Sequence, residues 1–79
     1  MRVYILRSAK TGKFYCGHTA DLDDRLYRHN SGQSKSTVHG VPWNLVWSFE
    51  TSDRSEAVLL ETKIKSRGIG RFLAENEPL

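Results

Sequence analysis

The stretch Asp21-Leu-Asp-Asp-Arg-Leu-Tyr-Arg-His-Asn-Ser-Gly32 has the pattern of a helix with charged residues beside its apolar face. Leu22 and Leu26 recur at helical spacing and define the face expected to pack on the core. At about 100° per residue, Arg25 and His29 fall within roughly one quarter-turn of that face. The sequence therefore predicts a helix with two cationic or titratable groups along its buried edge.

The same stretch carries start and stop signals for this helix. Thr19 or Asp21 is expected to cap its first amides, and Gly32 to end it in a left-handed conformation. Arg25 requires an anion or several acceptors, because a buried guanidinium must be compensated. A salt bridge within the domain, or a stem lying on the core with its head in water, remains an alternative to a ligand.

Length and composition predict a single domain over residues 1–79 whose functional site is a surface cleft. The net charge of +3 is compatible with a polyanionic partner but does not require one. The single Cys16 excludes an intrachain disulfide. No segment has the length of a membrane span or the composition of a signal peptide, so we expect a cytoplasmic protein without a membrane partner. The oligomeric state is left open, with a monomer compatible.

The N-terminal part of the chain is expected to form a β-hairpin. The apolar run Val3–Leu6 and the run from Phe14 to His18 flank a glycine-containing turn. This pairing brings Tyr4 and Tyr15 into one neighbourhood, although the turn alone does not fix which residues oppose each other. Gly17 is expected to end the second strand, at a point where the backbone bends or admits a close neighbour.

Residues 32–42 have loop composition, and a third strand is predicted over Trp43–Glu50. The loop is expected to expose four donors suited to a phosphate backbone, or to serve only as a solvated connector: Lys35, Ser36, Thr37 and His39. The apolar residues of the strand recur at period two, which predicts one buried face packed against the helices. They are Trp43, Leu45, Trp47 and Phe49.

A second helix is predicted from a capping-box pattern in which Asp53 caps and Glu56 reaches back. Its apolar stripe is Ala57, Leu60 and Ile64, and Glu61 takes a place on the stripe's edge. Gly68 is expected to end this helix, and residues 69–75 to form a short last one before a polar tail.

Two tyrosines, an arginine, a histidine and a glutamate converging on one face of a small sheet suit phosphodiester chemistry. Arginine supplies bidentate positive charge, glutamate binds a hard divalent ion, and tyrosine or histidine moves a proton. A structural pair between Arg25 and Glu61 is the alternative, although such pairs seldom gain net stability over apolar residues. A zinc site is not expected, because a single Cys-x-His lacks paired ligands at short spacing.

The ordered motifs of the chain resemble those of the GIY-YIG nuclease domain, in particular a small stand-alone subgroup similar to the N-terminal catalytic domain of the UvrC excision-repair subunit. The motifs are Val3-Tyr4-Ile5, Tyr15-Cys16-Gly17, Arg25, His29, Asn30-Ser-Gly32, Pro42-Trp43-Asn44-Leu45-Val46 and Ser55-Glu-Ala-Val-Leu-Leu-Glu61. The resemblance implies an α+β fold, a small three-stranded antiparallel sheet flanked by helices. This agrees with the hairpin, helix, strand and helix order predicted above.

The resemblance also implies catalytic roles. Tyr15 matches the tyrosine cast as general base, and Tyr4 the tyrosine that orients the attacking water. Arg25 matches the arginine that stabilises the scissile phosphate, and Glu61 the glutamate that binds one divalent metal, Mg²⁺ or Mn²⁺. His29 stands where relatives carry Tyr or His.

Further residues are expected to bind nucleic acid. His18 stands where relatives often carry lysine, so it is expected to touch phosphate. The remaining candidates are cationic side chains of the loop and of the second helix: Lys35, Lys63, Lys65 and Arg67. Two departures from the family pattern, Arg2 for glycine and Cys16 for isoleucine, remove no proposed catalytic side chain. The late asparagine of the repair-protein branch has no counterpart here.

The expected function is therefore a metal-dependent endonuclease acting on nucleic acid, with DNA the expected substrate and DNA repair or recombination the expected setting. The alternative is a nucleic-acid-binding module of the same fold with little or no turnover, in which the loop and the basic end of the second helix grip phosphates. A third interpretation, a protein-interaction module, depends on Trp43 and Trp47 being exposed.

Overall fold

The computed structural model describes residues 1–76, which form a three-stranded antiparallel sheet and three α-helices. The elements are β1 (Arg2–Ser8), β2 (Phe14–Thr19), α1 (Leu22–Asn30), β3 (Trp43–Glu50), α2 (Arg54–Arg67) and α3 (Ile69–Asn76). The α+β class and the element order predicted from the sequence are confirmed. Residues 77–79 of the predicted domain, in its polar tail, lie outside the described residues.

The sheet has the order β2-β1-β3, so the apolar strand β1 is central and both of its faces are buried. Val3 and Ile5 point to one face and pack with residues of α2 and α3 such as Ile64 and Phe72. Tyr4 and Leu6 point to the other face, where α1 contributes Leu22 and Leu26. The helices α1 and α2 therefore cover opposite faces of the sheet.

The predicted single buried face of β3 is wrong. A β-bulge lies between the pairs Ile5↔Trp47 and Leu6↔Leu45, so one extra residue of β3 is inserted there. Because each residue step reverses the side-chain direction, Trp43 packs with Tyr4 while Trp47 packs on the α2 face. Phe49 remains 55% exposed.

The two long helices begin and end at the signals predicted for them. The Asp21 carboxylate accepts from the Asp24 amide at 3.1 Å, and Asp53 accepts from the Glu56 amide at 2.9 Å. Glu56 reaches back as predicted, but its Oε1 accepts at 3.0 Å from the amide of Ser52, one residue before the cap, and not from Asp53. Both helices are followed by a glycine with positive φ, at Gly32 and Gly68.

Within residues 1–76 no helix is both long enough and apolar enough to cross a membrane.

Candidate active site

A surface cleft of about 410 Å³ collects most of the predicted catalytic side chains. We call it the central cleft, and the candidate site residues that line it are Tyr4, Tyr15, His18, Arg25, Arg54 and Glu61. They come from β1, β2, α1 and α2. Because α1 and α2 cover opposite faces of the sheet, a cleft lined by both helices must wrap around a sheet edge, and β2 supplies that edge. The separate motifs of the sequence therefore meet around one solvent-reachable hollow.

His29 stands behind the central cleft and does not line it. Its imidazole is 1% exposed, with Nε2 lying 3.0 Å from the Tyr4 hydroxyl and Nδ1 2.8 Å from the Thr37 hydroxyl. The predicted exposure of Thr37 is wrong, since it is 2% exposed. The Thr37 carbonyl accepts from Trp43 Nε1 at 2.8 Å, so packing of this tryptophan draws the loop residue into the core.

Burial and charge fix the protonation states of the Tyr4–His29 pair. Desolvation by burial raises the pKa of Tyr4 far above its usual value, and the charge of Tyr15 acts in the same direction. Burial, followed by the charge of Arg25, lowers the pKa of His29. At neutral pH the imidazole is therefore uncharged, with one nitrogen that donates and one that accepts.

The contacts of Thr37 favour one tautomer of His29. The Thr37 hydroxyl is 3.5 Å from the Ser34 carbonyl oxygen and donates toward it, which leaves the hydroxyl oxygen free to accept from His29 Nδ1–H. Nε2 then accepts from the Tyr4 hydroxyl. In this arrangement Tyr4 has a base directly behind it, and Arg25 at the cleft is close enough to act on its oxygen.

Gly17 gives the two tyrosines room at the cleft. It lies opposite Tyr4 in the β1–β2 ladder, and a Cβ atom there would be 2.9 Å from the Tyr4 hydroxyl and 3.1 Å from Cε2 of Tyr15. The rings of Tyr4 and Tyr15 lie 6.2 Å apart between centroids, which confirms their predicted proximity. The close approach anticipated at Gly17 is therefore made by the tyrosines themselves. The prediction that Gly17 ends the second strand is wrong, because pairing with β1 continues to Thr19.

Glu61 is engaged by two nitrogen groups, and Arg25 is not one of them. Glu61 Oε1 lies 2.6 Å from His18 Nδ1, and Oε2 accepts from Lys65 Nζ at 2.6 Å. Burial tends to raise the pKa of Glu61, but the hydrogen bonds from Lys65 and His18 outweigh it and lower the pKa. The carboxylate is therefore ionised at neutral pH. The alternative of a structural Arg25–Glu61 pair is not what the structure shows.

Arg25 is half-buried and takes part in none of the ion pairs found among residues 1–76. Its guanidinium lines the cleft close enough to Tyr4 for its charge to oppose the rise in the tyrosine pKa. A cationic group held at a cleft without a carboxylate partner is suited to an external anion such as phosphate.

The donor set of the central cleft fits a divalent cation in the manner of Mg²⁺, which is often held by one or two carboxylates together with water and substrate phosphate. Glu61 and Asp21 are the carboxylates at the cleft; both oxygens of Glu61 contact nitrogen atoms, and Asp21 Oδ1 caps α1. Within the described part of the chain, no three His, Cys, Asp or Glu side chains cluster as a complete metal site. A cation there would depend on the substrate for further ligands.

The other predicted nucleic-acid contacts are scattered. Lys35 and Lys63 are exposed away from the central cleft, and Arg67 forms an ion pair with Glu75 on α3. Arg54, which sequence reasoning missed, lines the cleft from the first residue of α2. The sequence signal that could have identified Arg54 is its position directly after the Asp53 cap, at the start of the helix that carries Glu61.

Comparisons with known proteins place this chain in a family. Residues 1–68 match the family model described as GIY-YIG catalytic domain. A UPF0213 protein of Vibrio cholerae is 38% identical over 66 residues, which cover 81% of this chain and 64% of that protein. A UPF0213 protein of Yersinia pestis is 38% identical over 64 residues, covering 80% and 66% respectively. The chain thus spans slightly less than two thirds of the length of these curated relatives. No solved structure matches the chain.

Proposed function

The chain belongs to the GIY-YIG catalytic domain family, a family of nucleases, and we propose that it is a metal-dependent endonuclease that hydrolyses phosphodiester bonds in DNA. One observation carries the proposal. The phenols of Tyr4 and Tyr15, the guanidinium of Arg25 and the carboxylate of Glu61 line a single open cleft. These are the groups needed to activate water, hold a phosphate and bind a hard cation.

We assign proton transfer to the two tyrosines and His29. Tyr4 is the better supported relay, because its hydroxyl donates to a buried neutral imidazole at 3.0 Å. In the proposed step, a water admitted to the Tyr4 hydroxyl, which is fully buried in the structure, passes a proton to Tyr4 as Tyr4 passes its own to His29 Nε2. Tyr15, whose ring centroid lies 5.0 Å from that of His29, borders the same space and orients or deprotonates the water from the β2 side.

Arg25 and Glu61 act on the phosphate. Arg25 is proposed to bind the scissile phosphate through charge-assisted hydrogen bonds that strengthen as negative charge builds in the transition state. Glu61 is proposed to hold Mg²⁺ or Mn²⁺, with His18 beside it. A divalent cation bound there would polarise the phosphate and stabilise the leaving oxygen. Lys35 and Lys63 are proposed to contact the phosphate backbone outside the central cleft. DNA repair or recombination is the proposed biological process.

A cleavage panel tests this proposal. Linear, flapped, nicked and four-way DNA would be incubated with Mg²⁺ or Mn²⁺ beside the variants Tyr15→Phe and Glu61→Gln. We expect a product with the wild-type protein that disappears with Glu61→Gln, while folding and DNA binding persist. Cleavage by Glu61→Gln at the wild-type rate would rule out the metal-binding role of this residue.

A binding module without turnover is the second candidate, and one observation favours it. Both oxygens of Glu61 already contact nitrogen atoms, so the carboxylate is occupied without a metal. DNA binding that survives EDTA, with no product from any substrate in the panel, would support this candidate.

The protein-interaction interpretation depended on exposure of Trp43 and Trp47. It loses this basis, since Trp43 is 7% exposed and Trp47 packs on the core.

A further inference from the structure

A second cleft adjoins the central cleft and shares two of its residues. This side cleft, of about 260 Å³, is lined by Tyr15, Arg25, Arg28, His29, Gln33 and Ser34. Tyr15 and Arg25 also line the central cleft, so the two hollows meet at this pair. A phosphate held by Arg25 would therefore sit at the boundary between them.

The two hollows differ in chemistry. The central cleft contains the carboxylates of Glu61 and Asp21, which suit a cation. No residue lining the side cleft within the described chain is acidic, and it offers guanidinium, amide and hydroxyl groups. These are the groups with which proteins bind nucleic-acid phosphates. One side is thus suited to a cation and the other to an anion.

Arg28 is placed to reach an anion in the side cleft. Its side chain is 55% exposed, and its ion pair with Asp24 joins Nε to Oδ2 at 3.0 Å. The arginine side chains that donate hydrogen bonds within residues 1–76 are those of Arg2 and Arg67, so the Arg28 guanidinium is left with its ion pair to Asp24. An exposed pair of this i,i+4 kind is weak, so a phosphate can compete with Asp24 for Arg28.

We propose that the side cleft is a binding site for the phosphate of the nucleotide next to the scissile bond, with Arg28 as its principal ligand and Gln33 as a second donor. The proposal rests on the proposed function, because it takes the scissile phosphate to lie at Arg25. It adds that the substrate strand continues past the cut across the C-terminal end of α1. A strand that ends at the scissile phosphate on this side would leave the site empty.

Binding measurements separate this inference from catalysis. In the Glu61→Gln background, the affinity for a short single-stranded DNA would be measured by fluorescence anisotropy. The salt concentration would be varied from about 50 to about 200 mM, a range over which the slope of log K against log salt can be determined. Arg28→Gln is expected to weaken binding by roughly fivefold or more and to reduce the slope of log K against log salt by about 0.7. Gln33→Ala, on the exposed loop, is expected to weaken binding less and to leave the slope unchanged, because it carries no charge.

Two controls distinguish a phosphate ligand from a structural residue. Asp24→Asn removes the same ion pair but leaves Arg28, so we expect tighter binding. If Arg28 only stabilised α1 through Asp24, Asp24→Asn and Arg28→Gln would weaken binding alike. Lys10→Gln removes one positive charge from the β1–β2 turn, away from both clefts, and is expected to have little effect.

The outcomes are distinct for the two proposals. DNA binding with an unchanged slope in Arg28→Gln, relative to Lys10→Gln, would overturn the side-cleft inference and leave the nuclease proposal intact. Absence of cleavage by the wild-type protein, together with the expected loss in Arg28→Gln, would overturn the nuclease proposal and leave the side cleft as a phosphate site.

Discussion

The hydroxyl of Tyr4 lies 3.0 Å from Nε2 of His29, and both side chains are fully or almost fully buried. The pair connects the open cleft to the loop, because His29 Nδ1 contacts Thr37 on the far side. A buried histidine on the apolar edge of a helix is therefore explained by two hydrogen bonds that satisfy both of its nitrogens. The same contacts give Tyr4 a proton acceptor that solvent does not reach.

If Tyr4 and His29 act as one relay, their removal should not be additive. Tyr4→Phe and His29→Gln are each expected to slow single-turnover cleavage by about 100-fold, the size of a general-base contribution. The double variant is expected to be little slower than either single one. Tyr27→Phe, on the same helix and 65% exposed, is the matched control and should cleave normally. Losses that multiply in the double variant would contradict a shared relay.

The lowered pKa of His29 predicts a loss of stability in mild acid. Its folded pKa lies below the usual 6.5, so below that pH the unfolded chain binds a proton that the folded protein does not. Stability contributed by the neutral imidazole is present above pH 6.5 and declines as the pH falls toward the folded pKa. Melting temperatures measured from pH 7.5 to 5.5 are expected to fall more steeply for wild type than for His29→Gln. Parallel curves would show that His29 does not titrate in this way.

Gly17→Ala should damage the site more than the fold. The added Cβ would meet the Tyr4 hydroxyl at 2.9 Å, so the phenol must shift, and its contact with His29 must change. We expect cleavage to fall by at least about tenfold and overpacking to cost about 1–3 kcal/mol. Gly70→Ala is the matched control, since its Cβ would meet Phe14 at an ordinary 3.6 Å. The activity of Gly70→Ala should be unchanged, and its melting temperature should be unchanged or slightly higher. Full cleavage by Gly17→Ala would contradict the need for clearance.

Lys65 is expected to compete with a metal for Glu61. Its ammonium group lies 2.6 Å from Glu61 Oε2, and its side chain is 52% exposed, so the ion pair is worth no more than about 1 kcal/mol. Lys65→Met should therefore tighten Mn²⁺ binding by about twofold to fivefold, measured by the fraction of free Mn²⁺ in an EPR titration. Lys63→Met, exposed on the same helix, serves as control. Weaker Mn²⁺ binding by Lys65→Met would show that Lys65 supports the site instead of competing for it.

Sequence alone determined the elements that depend on local interactions. The third strand occupies Trp43–Glu50 as predicted, and both capping patterns form, because a cap and a strand pattern involve residues only a few positions apart. Apart from Arg54, the candidate side chains at the central cleft followed from the ordered motifs, although their roles remain predictions. The sequence predicted correctly that His29 lies at the buried edge of α1. It did not predict that His29 lies behind the cleft and contacts Tyr4.

Tertiary structure decided everything that depends on residues far apart in the chain. The bulge that turns Trp43 and Trp47 to opposite faces arises in the pairing of β3 with β1, and no pattern within β3 encodes it. Glu61 meets His18 across 43 positions of sequence, and Thr37 is buried only because His29 and Trp43 bind it. Periodicity reports the direction in which a side chain points along its own element. Which group lies opposite it is set by the packing of elements, where hydrogen bonds and close contacts are made between partners that the local sequence does not specify.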